Sequence, residues 1–177
     1  MASDFHLFRT AIGSCGIAWG PRGIAAVQLP ETSDPILRQR LRQRCDAAHE
    51  TRPTAVVARV IADIQALLAG SRPDFADAPL DLAAASEFER RVYAQRRTIA
   101  CGTTLTYGEL AERLGDPLQA RAVGQALGRN PLPLLIPCHR VLAAGGELGG
   151  FSAHGGVVTK RRLLEIEGAI AQLSLPL

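Results

Sequence analysis

Pro131, Pro133 and Pro137 interrupt the apolar run from Asn130 to Val141, and no other stretch limits the fold of this chain so tightly. Proline fixes φ and offers no N–H to a strand ladder, so the run reads as a stiffened, extended connection. Such a connection makes a rigid mount. What it mounts is Cys138, followed at once by His139 and Arg140.

A thiol reacts as its thiolate, and cationic or imidazole neighbours favour that form, so Cys138 has the surroundings of an activated nucleophile. On Pro-Cys-His alone, a buried structural cysteine is an equally good reading. Adjacent residues on an extended segment face opposite ways, so His139 need not reach the sulfur. The context favours chemistry, because the segment lies between a helix-turn-helix pattern upstream and a glycine-rich hairpin downstream.

From Phe5 to Leu29 apolar and polar residues alternate and are cut by Gly13, Gly16, Gly20, Pro21 and Gly23, which predicts short antiparallel strands joined by tight turns. Trp19 is expected in the core. Ser33-Asp34-Pro35 opens a helix with Leu37, Leu41, Cys45 and Ala48 on its buried stripe. Arg38, Arg40, Arg42 and Arg44 alternate around that helix and read as a solvated surface. Thr54 caps a second helix with Val57, Val60, Ile61, Ile64 and Leu68 on one face, ending at Gly70. A last strand is expected near Leu80 and Leu82. Residues 1–85 are therefore read as a supporting α/β domain, an antiparallel sheet with covering helices.

Residues 86–177 are read as a second, mostly α domain. Ser86 and Glu89 form a capping box for a helix with Phe88, Val92 and Ile99 inward, and Thr106 with Glu109 forms another around Tyr107. After Gly115, Asp116-Pro117 turns the chain into a helix running to about Gly128, a helix-turn-helix of winged-helix-like type. Ala120, Ala122, Gly124, Ala126 and Gly128 make that helix unusually small-sided, although glycine costs a helix about 0.8–1 kcal/mol relative to alanine. Close approach to a core helix and close approach to a nucleic-acid groove both explain this; Arg121 among them favours the groove. Residues 143–147 read as a hairpin turn and 149–156 as a glycine-rich loop with Phe151 and Ser152 as a pocket wall. Val158 or Thr159 begins a final helix stopped by Gly168.

The run Asn130-Pro131-Leu132-Pro133-Leu134-Leu135-Ile136-Pro137-Cys138-His139-Arg140-Val141 resembles the signature of the O6-alkylguanine-DNA alkyltransferases, the methylated-DNA–protein-cysteine methyltransferases. The resemblance extends through Thr106-Tyr107-Gly108-Glu109-Leu110-Ala111, Ala120-Arg121-Ala122-Val123-Gly124 and Lys160 to Glu167-Gly168, about half the chain. It implies direct-reversal repair of double-stranded DNA bearing O6-alkylguanine, with the alkyl group passing irreversibly to Cys138. Because the reacting oxygen is inaccessible in the stack, the base must be rotated out, at a cost of roughly a few kcal/mol. The resemblance further implies that His139 relays charge through a water between Cys138 and Glu167, that Asn130 braces the nucleophile's turn, and that Tyr107 offers a proton toward the purine ring. Arg121 corresponds to the family's arginine finger, on a helix lying in the minor groove with Ala120, Ala122 and Gly124; Arg140 is counted with the DNA contacts. Phe151, Ser152, Lys160 and Tyr107 correspond to the base pocket. Phe151 stands where some relatives have tyrosine, His154 sits in a loop about two residues longer than in some relatives, and Ala100 replaces an expected proline.

The excess charge of three lies wholly in the second half, where eleven basic groups face eight acidic ones against nine and nine before residue 86. This suits phosphate contacts only weakly. Cys15, Cys45, Cys101 and Cys138 are scattered, without the Cys and His set of the structural zinc that some alkyltransferases carry, so neither metal, cofactor nor disulfide framework is expected. There is no apolar run of roughly 18 residues and no signal-peptide pattern at Met1–His6, which predicts a cytoplasmic protein without membrane contact; a monomer is expected. Two rival readings are a lesion-binding sensor or regulator and a multiple-turnover cysteine hydrolase. Non-repairing relatives lack the cysteine that is present here, and nothing outside the family pattern suggests an acyl pocket.

Overall fold

The computed structural model describes residues 4–46 and 49–171, so Ala48 and the end of the chain lie outside it. Strands β1 (Asp4–Thr10), β2 (Gly13–Gly20) and β3 (Gly23–Gln28) form the antiparallel meander that the glycine-cut text predicts. Gly23 takes φ +126°, a conformation a side chain rarely adopts, and so closes the second turn in two residues. A fourth strand, β4 (His49–Glu50), pairs in parallel with the outer edge of β1, giving the order β3-β2-β1-β4. Two exposed polar residues carry no strand pattern, and only pairing with Asp4 and Phe5 makes them one.

Helices α1 (Asp34–Cys45) and α2 (Ala55–Leu68) cover opposite faces of the sheet. Alternation along the strands sorts the side chains. Phe5, Ala18 and Ala26 meet Leu41 of α1, whereas Phe8, Cys15, Ile17, Trp19 and Val27 meet Val57, Val60, Ile61 and Ile64 of α2. Ser33 marks the start of α1 without a side-chain capping bond, while Thr54 accepts from Val57 N at 3.4 Å. Cys45, expected on the buried stripe, is only half-buried, its Sγ donating to the Leu41 carbonyl at 3.0 Å. In place of the strand expected near Leu80 there is a single bridge to Ile24.

The rest of the chain is largely helical. Helix α3 (Glu87–Arg97) opens on the complete Ser86–Glu89 capping box, and α4 (Tyr107–Arg113), just after β5 (Leu105–Thr106), on the Thr106–Glu109 box. A tight 3₁₀ turn at Pro117–Gln119 leads into α5 (Ala120–Gly128). Strand β6 (Val141–Leu142) pairs in parallel with β5, so residues 143–147 close a local turn, Ala143 N to Glu147 O at 2.7 Å, rather than the predicted hairpin. Helix α6 (Val157–Ile166) begins a residue earlier than predicted and ends before Gly168. One continuous core joins the sheet and α2 to Val92, Leu110, Val123 and Ile136, and Val27 N of β3 donates to Pro131 O at 2.9 Å.

A Cβ at Gly23 would lie 2.4 Å from the Pro79 carbonyl oxygen, and its φ is unfavourable to any side chain. Gly23→Ala should therefore destabilise the protein by roughly 1–3 kcal/mol. Urea unfolding checks this, and an unchanged midpoint would show that the turn relaxes freely.

Candidate active site

The proline-punctuated run is not extended. It is closed into a buried loop, because the backbone groups that cannot join a ladder find a side chain instead. Asn130 Oδ1 accepts from Leu132 N at 2.9 Å and Asn130 Nδ2 donates to Ile136 O at 2.8 Å. Between them Leu134 takes φ +74°, a left-handed conformation that costs a non-glycine residue about 1–3 kcal/mol. Burial of Leu132, Leu134, Leu135 and Ile136 holds it there.

Cys138, His139 and Arg140 then form a single 3₁₀ turn, so the opposite-face geometry expected of an extended segment does not apply. Cys138 retains 8% exposure and borders two cavities. One, about 220 Å³, lies toward α4 and α5 and is lined by Tyr107, Gly124, Gly128, Phe151 and Ser152. The other, about 310 Å³, lies toward β3 and α1 and is lined by Gln28, Glu31, Arg44 and Asn130, with Phe151 and Ser152 again on its wall.

Behind the sulfur sits a buried polar cluster. His139 Nε2 lies 2.8 Å from Glu167 Oε1, and Arg140 grips the same carboxylate with Nε to Oε2 at 2.8 Å and Nη2 to Oε1 at 2.9 Å. Burial works to raise the Glu167 pKa, but the hydrogen bonds and charges of His139 and Arg140 outweigh it and hold the carboxyl at about 2. Burial lowers His139, which favours the neutral imidazole; its Nδ1 has no hydrogen-bond partner among the described protein atoms. Tyr107 is raised, by burial first and by the Cys138 charge second, so its phenol keeps its proton.

Two placements correct the sequence reading. Arg140 is not at the surface to meet a phosphate: it is 7% exposed, with Nη1 donating to the Ile99 carbonyl and the rest of the guanidinium on Glu167. Lys160 borders neither cavity. It is fully buried, donates to Val141 O at 2.6 Å, and is lowered by burial to about 8. Arg121 is exposed on α5 beside half-buried Ala120 and Ala122. A Cβ on Gly124 would meet only the Tyr107 ring at 3.7 Å, and one on Gly128 would meet nothing, so internal packing does not demand either glycine.

Two residues were missed. Arg44, read as solvated, sends Nη2 to Asn130 O at 3.2 Å and Nη1 to Gln28 Oε1 at 3.0 Å. Arg96 is fully buried on the inner face of α3, and the signal for it was there: it falls between Val92 and Ile99 on the apolar stripe. Among the described residues no three His, Cys, Asp or Glu side chains are grouped to hold a metal ion.

The family model for the 6-O-methylguanine DNA methyltransferase DNA-binding domain matches residues 87–169. A methylated-DNA–protein-cysteine methyltransferase of Methanothermobacter thermautotrophicus is 37% identical over 153 residues, 86% of this chain and 78% of the relative. A DNA base-flipping protein of Thermus thermophilus is 46% identical over 116 residues, 66% of this chain and 76% of the relative. The crystal structure of Mycobacterium tuberculosis OGT in complex with DNA superposes with TM-score 0.74 at 33% identity, covering 94% of this chain and 93% of that one.

Both His139 and Glu167 bind protons less readily in the fold than in the unfolded chain, so stability falls as pH falls. The His139 share is lost from about pH 6.5 downward, and the Glu167 share between 4.5 and about 2. Glu167→Gln should abolish the lower step and, by leaving Arg140 buried without its counter-charge, cost roughly 3–5 kcal/mol at pH 7. Urea unfolding across pH measures both; a variant with wild-type slope between pH 4.5 and 2 would remove Glu167 as the source.

Proposed function

The chain belongs to the methylated-DNA–protein-cysteine methyltransferase family, and from that membership we infer how its parts divide the work. The protein repairs DNA by direct reversal, taking the alkyl group of O6-alkylguanine irreversibly onto a cysteine of its own chain, once per molecule. We assign that cysteine as Cys138. The observation that carries the assignment is its position at the junction of two cavities, backed by the buried His139–Glu167 pair.

In the proposed reaction the sulfur attacks the alkyl carbon, the C–O6 bond breaks, and the electron pair leaves with the purine. Tyr107, held as a protonated phenol, donates toward the ring as that charge develops. His139 is proposed to exchange charge with Cys138 through a water at Nδ1, its other nitrogen being fixed by Glu167. Phe151 and Ser152 form the wall of the base pocket.

Residues 86–177 are proposed as the DNA-binding and transfer domain, with α4 and α5 as its helix-turn-helix, and residues 1–85 as its support. The small side of α5 would lie in the minor groove, supported by open space at Gly128 and the undemanding surroundings of Gly124. Exposed Arg121 would fill the gap left by the rotated nucleotide. The reading of a sensor without repair has a similar relative in the base-flipping protein, but a reachable thiol favours transfer.

Incubation with a duplex containing O6-methylguanine should add one methyl to Cys138 by mass spectrometry, and Cys138→Ser should add none. Tight binding at unchanged mass would select the sensor instead. Arg121→Ala should slow repair of duplex at least about tenfold while sparing reaction with the free modified base; an equal loss on both substrates would refute the finger.

A further inference from the structure

The cavity on the sheet side of Cys138 has no task in the reaction outlined above, although the cysteine stands on its wall. At about 310 Å³, against the roughly 30 Å³ that one water takes in the liquid, it has room for a chain of several atoms. Its wall is charged. Arg40 and Arg44 reach it from α1, and Glu31 from the segment after β3.

Glu31 is engaged: its carboxylate accepts from Gln28 Nε2 at 2.8 Å, with Arg40 Nε at 3.9 Å and His154 Nδ1 at 3.8 Å. Arg44 is not matched in this way. Its guanidinium donates to Gln28 Oε1 at 3.0 Å and to the carbonyls of Asn130 at 3.2 Å and Val27 at 3.5 Å, all neutral acceptors, and among the described residues no carboxylate stands within ion-pair distance of it. An exposed arginine is ordinarily loose in solvent, but this one is fixed at the cavity wall with its charge unanswered.

Displacement at a saturated carbon puts sulfur, carbon and departing oxygen in line, so whatever else the carbon carries points sideways. In the proposed reaction the guanine occupies the cavity lined by Tyr107 and Gly124. Both cavities meet at Cys138, Phe151 and Ser152, which leaves the sheet-side one for the rest of an alkyl chain.

We propose that this cavity receives the chain of O6 adducts larger than methyl, and that Arg44 makes it selective for chains ending in a carboxylate. The proposal rests on Cys138 being the nucleophile and on the guanine lying against Tyr107. Cys138 passes its proton through water to His139 as the S–C bond forms; the C–O6 bond breaks with its electron pair on the purine, which takes a proton from Tyr107, and His139 returns one to Tyr107 through solvent. The carboxylate is untouched and stays with the transferred carbon, facing Arg44. An apolar chain of similar length strips water from Arg44 and Gln28 without replacing the hydrogen bonds lost.

The test mixes limiting protein with equal excesses of duplexes bearing O6-carboxymethylguanine and O6-propylguanine, and counts the two adducts on Cys138 by mass spectrometry. Their ratio cancels any general damage to the loop that Arg44 props. It should fall at least about fivefold in Arg44→Met and hold within about twofold in Arg44→Lys, which keeps the charge. An unchanged ratio in Arg44→Met, as a contact between Arg44 and the strand's own phosphates would give, overturns the proposal, and so does an equal fall in Arg44→Lys. Wild type that accepts methyl but neither longer chain also overturns it. Wild type that takes up no methyl at all refutes instead the assignment of the nucleophile.

Discussion

One carboxylate holds the working end of this protein together. Glu167 receives His139 and both arms of the Arg140 fork, while Arg140 reaches on to the carbonyl of Ile99 at the end of α3. The Cys138–Arg140 turn, α3 and α6 are thereby tied through a single charged group that is 4% exposed. A buried ion pair of this kind is a poor source of net stability, because desolvation consumes what the Coulomb attraction supplies. Its effect is geometric. The imidazole can neither rotate nor choose its partner, and Arg140 is withdrawn from the surface.

A second constraint comes from the other half of the chain. Asn130 closes the proline loop from within, but its backbone is held from outside by Arg44 and the next residue by β3, through Val27 N to Pro131 O. The sheet therefore does more than bury apolar surface. It fixes the height at which the cysteine loop stands, and its edge with α1 forms the wall of the larger cavity beside Cys138. Moving the sheet would move the sulfur.

Local signals were legible in the sequence wherever a residue acts on its own neighbours. Capping boxes at Ser86 and Thr106, the Thr54 cap and the strand turns at Gly13 and Gly23 all appear where the text places them, since each depends on contacts within a few residues. Long-range pairings were not legible. The parallel strands β4 and β6 are too short for any periodicity, and the turn at 143–147 mimics a hairpin because glycines mark both. The proline run was misread as extended because proline excludes ladders but says nothing of an amide side chain bonding across the loop. Arg140 was counted with the DNA contacts and Lys160 with the base pocket, but a buried carboxylate holds the one and the Val141 carbonyl the other.

The departures from local rules cluster. Leu134 in a left-handed conformation, neutral His139 against an ionised carboxylate, and unpartnered Arg96 all lie on the loop or on elements that pack around Cys138. Elsewhere α2, α3 and α4 carry side-chain caps and the first strands turn on glycine, as local rules ask. A protein that reacts once has no need to restore its site, so the strain gathered there need survive only a single reaction. A repeatedly used catalyst must instead return to the same strained geometry after every cycle.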